Sequence, residues 1–361
     1  MDNNYVENTR KVAVLRANGI GDLIVTLPAI DALKETYPEA EIVLFGKEWQ
    51  AAFLTPYRTH IDRVIVLPKS FFLSKEVYID SYDQEMEVFF TKMKQEKFDI
   101  AIHFHGEDIF SNIFLSHLGA KVTVGHQHKK ARALDRMASY FYYQPEVFRY
   151  LELVKTVAAN TVNIEPKISI NQDEIDTAKQ ILKKYNIHTP FIILHPGSSD
   201  YRRQWPVSKF AEVAKYYIRK GMDIVITGTS EEETLLESLN EQIDDPLACI
   251  LRELDLSVLA ALMTLSILFI SNDTGPLHLA RAVNCRTVGV FWGPNILNWG
   301  PLFREQHGLA ISWRLVCPMC GTIPATPYPF EPKSPECSHF FSFVENITVE
   351  EVIGEAERVL K

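Results

Sequence analysis

The feature that most constrains this chain is a series of short, almost wholly apolar runs, each followed by an amphipathic stretch. Val12-Ala13-Val14-Leu15, Ile42-Val43-Leu44-Phe45, Val64-Ile65-Val66-Leu67 and Ile100-Ala101-Ile102 form a first series. Phe191-Ile192-Ile193-Leu194, Ile224-Val225-Ile226-Thr227, Ile267-Leu268-Phe269-Ile270 and Thr287-Val288-Gly289-Val290-Phe291 form a second. A strand with no polar face must be covered on both sides. Strands of this kind alternating with helices therefore predict mostly parallel, doubly wound α/β sheets. Helical spacing fills the gaps: Leu23, Leu27, Ile30 and Leu33 in the first series, then 175–185, 207–220, 231–240, 256–265 and 275–282 in the second, with an amphipathic helix over 348–360. Two Rossmann-like halves joined near residues 165–175 account for the whole pattern.

The 361 residues suit two domains, and 47% hydrophobic content is ample for two cores. A formal charge of −9 argues against a nucleic-acid binder that relies on bulk positive charge. The start, Met1-Asp2-Asn3-Asn4-Tyr5, lacks the basic and apolar segments of a signal peptide, which predicts a cytoplasmic protein. The longest nearly apolar stretch, 256–270, is too short to cross a bilayer. Five cysteines, at 249, 285, 317, 320 and 337, are then expected as thiols rather than structural disulfides.

In doubly wound sheets ligands bind beyond the carboxyl ends of the strands, and four such loops carry unusual residues. Asn18-Gly19-Ile20-Gly21-Asp22 pairs glycines that permit close backbone approach with a helix start. Ile24 stands where a dinucleotide fingerprint needs Gly or Ala, which disfavours a nicotinamide oxidoreductase. Asp22 is either a helix cap or a general base. His195-Pro196-Gly197-Ser198-Ser199, with Arg202 and Arg203 behind it, offers hydroxyls and guanidinium groups suited to a phosphate. Asp273-Thr274-Gly275, with His278 one turn later, places hydroxyl and amide donors at a helix N-terminus, where the dipole attracts anions. Asp273 could cap that helix. Glu231 and Glu232, after Gly228-Thr229-Ser230, could hold ribose hydroxyls or simply favour the helix dipole. Together the loops describe an anionic nucleotide site in the second half and an acidic residue in the first. No D-x-D pair is present to hold a divalent ion against a diphosphate, so no catalytic metal is expected.

These motifs resemble those of the family 9 glycosyltransferases, the lipopolysaccharide heptosyltransferases and their relatives. The resemblance rests on Gly19-Ile20-Gly21-Asp22 with Thr26-Leu27-Pro28-Ala29, on His195-Pro196-Gly197 with Trp205-Pro206, and on the segment Asn272 to Ala280. It implies a GT-B fold, two Rossmann-like domains with a cleft between them: an acceptor-binding domain over 1–168, a nucleotide-sugar-binding domain over 169–345, and a C-terminal helix over 346–361 returning to the first domain. It also implies inverting transfer of a heptose or related sugar from an ADP-sugar to a lipopolysaccharide core or similar glycan. Asp22 matches the general base. Gly21, Ser198, Ser199, Arg203, Glu231 or Glu232, Asp273, Thr274, Gly275 and His278 would contact the donor, which is a co-substrate, so no separate cofactor is expected. Arg203 replaces the lysine usual two residues before the Trp-Pro pair. The alternatives are a nucleotide-sugar epimerase or a non-catalytic ADP-sugar-binding protein of the same fold.

The acceptor side is expected near His103, His105, Gly106 and Glu107. The basic stretch of His126, His128, Lys129, Lys130, Arg132 and Arg136 reads as a solvated face, or as a contact for an acidic, lipid-linked acceptor at the inner face of the inner membrane. Cys317-Pro318-Met319-Cys320 and Cys337-Ser338-His339 have partial zinc spacing. Reduced cysteines packed in an irregular, proline-rich loop over 317–338 are the expectation preferred to a metal site.

Overall fold

The computed structural model describes residues 4–55, 57–73, 84–127, 129–188, 190–324, 337 and 339–361. The chain divides into two compact units, 1–166 and 167–361.

The first unit runs β1 (Lys11–Leu15), α1 (Ile20–Ile24), α2 (Leu27–Thr36), β2 (Glu41–Gly46), α3 (Glu48–Phe53), β3 (Arg63–Val66), α4 (Lys69–Leu73) and α5 (Gln84–Glu96). It continues with β4 (Ile100–His103), α6 (Ile109–His117), β5 (Val122–His126), β6 (Arg136–Ala138) and α7 (Glu146–Lys155). All pairs are parallel, in the order β3-β2-β1-β4-β5-β6. On one face Phe45, Phe71, Phe90, Phe98 and Phe114 pack together, mostly edge to face. Each such ring contributes about 1.5–3 kcal/mol by burial alone.

The helical spacing from Leu23 to Leu33 is carried by two helices. Pro28 has no N–H to give Ile24, so the first helix ends there, and Thr26 turns back on Leu23 O through its amide (2.9 Å) and hydroxyl (2.6 Å). Strands β5 and β6 lie across the basic stretch expected as a solvated face. His126 is buried at the end of β5, and Arg136 donates to Thr156 O (2.7 Å). Lys129, Lys130 and Arg132 are exposed, and His128 lies outside the described residues.

The second unit runs α8 (Gln172–Lys184), β7 (Phe191–His195), α9 (Val207–Ile218), β8 (Asp223–Gly228), α10 (Glu233–Ile243), β9 (Ala248–Arg252) and α11 (Leu256–Leu265). It ends with β10 (Leu268–Asn272), α12 (Gly275–Ala282), β11 (Thr287–Trp292), α13 (Gly293–Trp299), β12 (His307–Ser312) and α14 (Val349–Leu360). Its parallel sheet has the order β12-β11-β10-β7-β8-β9. Numbered within its own unit, each sheet therefore has the Rossmann order 3-2-1-4-5-6.

The resemblance places the C-terminal helix on the first domain. The structure corrects this, because α14 packs on β11, β12 and α9. Its buried stripe, Val352, Ala356 and Val359, joins the core that holds Val288, Val290 and Ala310. The Glu355 carboxylate accepts from Arg358 (2.9 Å), Leu309 N (3.1 Å) and Arg304 (2.9 Å), and against the opposing effect of burial the bonds from Arg358 and Leu309 hold it below its ordinary pKa. Part of the expected proline-rich loop, 325–336 and 338, lies outside the described residues; between β12 and α14 the described residues form neither helix nor strand. Among the described residues, no helix is long and apolar enough to cross a membrane.

Candidate functional site

In the first unit, Asp22 lies at the third position of α1, where its Oδ2 accepts from Gly19 N (3.1 Å). The other oxygen, Oδ1, accepts from Arg16 Nη2 (2.9 Å), while Arg16 Nε donates to the Asp22 carbonyl (3.0 Å). Arg16 itself is buried. Its guanidinium also donates to Phe104 O and lies over the Tyr150 ring, and Gln50 donates to its carbonyl (2.9 Å). The Asp22 side chain keeps 31% of its surface exposed, so the carboxylate is oriented from behind and open in front. It is neither the cap residue nor isolated: Gly19 is the cap, and Arg16 is the partner that sequence reasoning missed. A charge closing an apolar strand was the available signal. Gly21 is a buried position of the same turn.

His103 and His105 belong to a hydrogen-bonded layer beside this loop. Ala17 N donates to His105 Nε2 (3.1 Å), which leaves Nδ1 to donate to Ser111 Oγ (2.9 Å), and Ser111 in turn donates to Asp108 (2.7 Å). His103 Nε2 meets Asn112 Oδ1 (2.7 Å). Burial, together with His103 and Arg149, depresses the His126 imidazole to about 3, so it stays neutral.

In the second unit the loops after β7, β8 and β10 are tied together. Asn272 at the end of β10 is fully buried. Its side chain accepts from Trp205 N (3.0 Å) and donates to Pro196 O (2.7 Å), which fixes both ends of the 196–205 loop. Arg203 on that loop donates to the Asp273 carbonyl (3.0 Å) and carboxylate (3.3 Å). Asn295 donates to the same carboxylate (2.8 Å), and His278 Nε2 lies 3.9 Å from its other oxygen. Burial raises the Asp273 pKa in spite of these partners, and it holds His278 well below the ordinary histidine range, helped by Arg281 and Arg203. The N-cap position of α12 is Thr274, not Asp273. The Thr274 hydroxyl, engaged with Ser271 Oγ (3.2 Å) and Asn272 O (3.3 Å), makes no capping bond, so the first turn of α12 beginning at Gly275 receives no side-chain cap.

A second cluster surrounds Gly197. An added Cβ there would stand 1.7 Å from Glu232 Oε1, so only glycine lets the carboxylate lie against the loop. Glu232 Oε2 accepts from Thr229 N (2.9 Å) and Thr229 Oγ1 (3.2 Å). His195, buried at the end of β7, meets Thr227 Oγ1 (3.2 Å), and its burial lowers its pKa against the opposing pull of Glu232. Ser198 is half-buried and donates to Asp200 O (3.1 Å); Ser199 and Glu231 are exposed. Arg202 pairs with Asp200 through contacts of 2.7–3.1 Å, and Arg203 Nε lies 3.8 Å from the same carboxylate. Among the carboxamides, Asn272 and Asn295 are the connections that the sequence did not disclose.

The last group borders the 196–205 loop, where Tyr201 Oη donates to His339 O (3.1 Å). Cys317, Cys320, Cys337 and His339, expected as packed thiols, place their ligand atoms within 4.8 Å of one another.

Paired Rossmann-like sheets, each with loops prepared at its strand ends, define the class of GT-B glycosyltransferases. The chain belongs to glycosyltransferase family 9 (heptosyltransferase), whose model matches residues 86–315, and it is a glycosyltransferase. It is 22% identical over 324 residues to the lipooligosaccharide heptosyltransferase 2 of Campylobacter jejuni, covering 86% of this chain and 89% of that one. The crystal structure of a family 9 glycosyltransferase from Veillonella parvula is similar with a TM-score of 0.76 at 20% identity, covering 99% of both chains. The E. coli ADP-heptose LPS heptosyltransferase II gives a TM-score of 0.74 at 17% identity, over 97% of this chain and 98% of that one.

Proposed function

We propose that the chain is an inverting transferase that moves a heptose or related sugar from an ADP-sugar to a lipopolysaccharide core or similar glycan. The observation that carries this reading is the meeting of Arg203 with Asp273 at the start of α12. It gathers a guanidinium, the Thr274 hydroxyl and the Gly275 amide around one place for a diphosphate. Asp273, occupied by Arg203 and Asn295, serves to hold that cation rather than a metal. Glu232, and with it Glu231, faces the ribose; Ser198, Ser199, Gly275 and His278 complete the donor shell. Asp22, held by Arg16 and Gly19 with its outer side open, takes the proton of the acceptor hydroxyl. As that oxygen bonds to the anomeric carbon, the carbon–oxygen bond to ADP breaks, and the leaving diphosphate carries the negative charge. The names of the C. jejuni and E. coli relatives, with lipooligosaccharide and ADP-heptose in them, support this donor and acceptor. The exposed Lys129, Lys130 and Arg132 suit an acidic, lipid-linked acceptor or the anionic leaflet that carries it, at the cytoplasmic face of the inner membrane.

The test is calorimetric titration with ADP, UDP and GDP, alongside a transfer assay with ADP-heptose. Arg203→Ala is expected to weaken ADP by tenfold or more, or roughly 1.4 kcal/mol. Asp22→Asn keeps ADP affinity and loses roughly 10²–10⁴ in transfer rate. Preference for UDP or GDP overturns the donor, transfer intact in Asp22→Asn overturns the base, and donor turnover without any acceptor establishes the epimerase alternative.

A further inference from the structure

We propose that Cys317, Cys320, Cys337 and His339 form a tetrahedral site for a thiolate-binding divalent metal of the zinc or ferrous type. The site's task is to hold the segment after residue 337 against the loop that carries Arg203.

Three contacts set the geometry. Cys320 Sγ lies 3.6 Å from Cys337 Sγ, and His339 Nδ1 lies 3.9 Å from Cys317 Sγ and 3.8 Å from Cys337 Sγ. A metal with sulfur ligands at ~2.3 Å and a nitrogen ligand at ~2.0 Å spans tetrahedral edges of roughly 3.5–3.8 Å. The four side chains thus already stand near the corners such an ion requires. Three sulfurs and one imidazole suit zinc or ferrous iron, and oxygen-seeking calcium or magnesium do not fit.

The backbone is shaped for the same end. Cys317 N donates to Thr322 O (2.8 Å) and Gly321 N donates to Cys317 O (2.9 Å). Gly321, at φ +73°, takes the left-handed conformation that closes this turn. Cys317 and Cys320 thereby present their sulfurs to one side, and Cys337 and His339 bring the other two ligands after a gap of 16 positions. The described residues 313–324, 337 and 339–348 lie in neither helix nor strand, so no ladder of backbone bonds fastens them.

What the fastening holds is specific. Tyr201 Oη donates to His339 O (3.1 Å), and the Tyr201 ring stacks on Phe340 at 4.0 Å. Phe343 N donates to Arg202 O (2.9 Å), and Ser342 Oγ donates to Gln204 O (2.6 Å). Contacts fall on both sides of Arg203. The metal is therefore a positioning element for the loop, and its presence can be tested without reference to the transfer reaction.

The experiment is metal analysis of the full chain purified from medium holding both zinc and iron, with cobalt reconstitution and hydrogen exchange. About one ion per chain is expected, together with the intense visible spectrum of tetrahedral thiolate-bound cobalt. Cys320→Ser with Cys337→Ser should lower metal content at least tenfold. If that variant does not fold, the cobalt spectrum of the native chain decides alone. Stoichiometric zinc and stoichiometric iron each support the site and identify its ion. Removing the metal should raise amide exchange in 201–204 and 339–343. Less than about a tenth of an ion per chain with no tetrahedral cobalt spectrum overturns the site. A Cys320–Cys337 disulfide in freshly purified protein also overturns it, and unchanged exchange in 201–204 overturns the positioning role.

Discussion

Replacing Gly197 by alanine places a methyl carbon 1.7 Å from Glu232 Oε1 and 2.5 Å from its carboxyl carbon, where contact distance for carbon and oxygen is roughly 3.3 Å. The carboxylate has to retreat by about 1.5 Å, which breaks its bonds to Thr229 N and Thr229 Oγ1. Those bonds cap a helical turn at a half-exposed position, so their loss costs about 1–2 kcal/mol. Alanine also restricts the unfolded chain, and because Gly197 does not use the left-handed region, that effect stabilises by about 0.4–1 kcal/mol. Gly197→Ala alone should thus be mildly destabilising. In a Glu232→Ala background, which removes the three atoms nearest the methyl group, the same substitution should become mildly stabilising. The coupling energy, read from urea unfolding of the four proteins of the double-mutant cycle, is expected at about 1–2 kcal/mol. ADP titration of the same set supplies a second reading: if Glu232 holds the ribose, both single variants lose affinity and the double loses little more. Additive unfolding energies, with a coupling below about 0.4 kcal/mol, would refute the contact between Gly197 and Glu232 as the source of the effect.

Asn272→Ala leaves Trp205 N–H and Pro196 C=O buried without their shared partner, at a cost of about 2–4 kcal/mol; a loss under about 1 kcal/mol in urea unfolding would show that the loop is held elsewhere. Stability should fall with pH on the acid side of neutrality. Burial holds His126 down to about 3 and His307 down to about 4, with His195 and His278 lowered as well. A depressed histidine stabilises the fold above its ordinary pKa and loses that contribution as pH drops from about 6.5 toward the folded value, at up to roughly 1.4 kcal/mol per pH unit for each group. Urea midpoints at pH 7, 6 and 5 should therefore decline before the carboxylates protonate, and a flat profile down to pH 5 would contradict neutral burial.

The central strands were legible because burial on both faces leaves an apolar run that little else can explain. The edge strand β3 was legible too, whereas β6, β9 and β12 were not. Arg136–Ala138 in β6 is three residues long, opens on an arginine and has no buried position, and His307–Ser312 in β12 mixes histidine, glycine and serine with its apolar residues. The phosphate-facing loops were also legible, as hydroxyls and an arginine after strong strands. Their joints were not: the Asn272 carboxamide reaches backbone 67 and 76 positions earlier, a pairing that no local pattern encodes. Asp22 and Asp273 were both open to reading as helix caps, since an acidic residue at a helix start invites it. In the structure Asp22 stands at the third position, accepts from the amide of the cap residue Gly19 and pairs with Arg16, and Asp273 leaves the cap position to Thr274 and holds Arg203. The C-terminal helix shows the limit of resemblance, since its apolar stripe states that it packs but not against which sheet.

The central pairing of β7 with β10 has an evolutionary consequence. Ile270 sits opposite Leu194 and Ser271 opposite His195, so a ladder of backbone bonds aligns the two loops that Asn272 then ties together. Backbone pairing asks little of side-chain identity. The stretch between these strands, α9 through α11, can drift in composition and length while both ends remain registered. The exposed faces and surface loops of that stretch can therefore change without disturbing the alignment of the two strand tips.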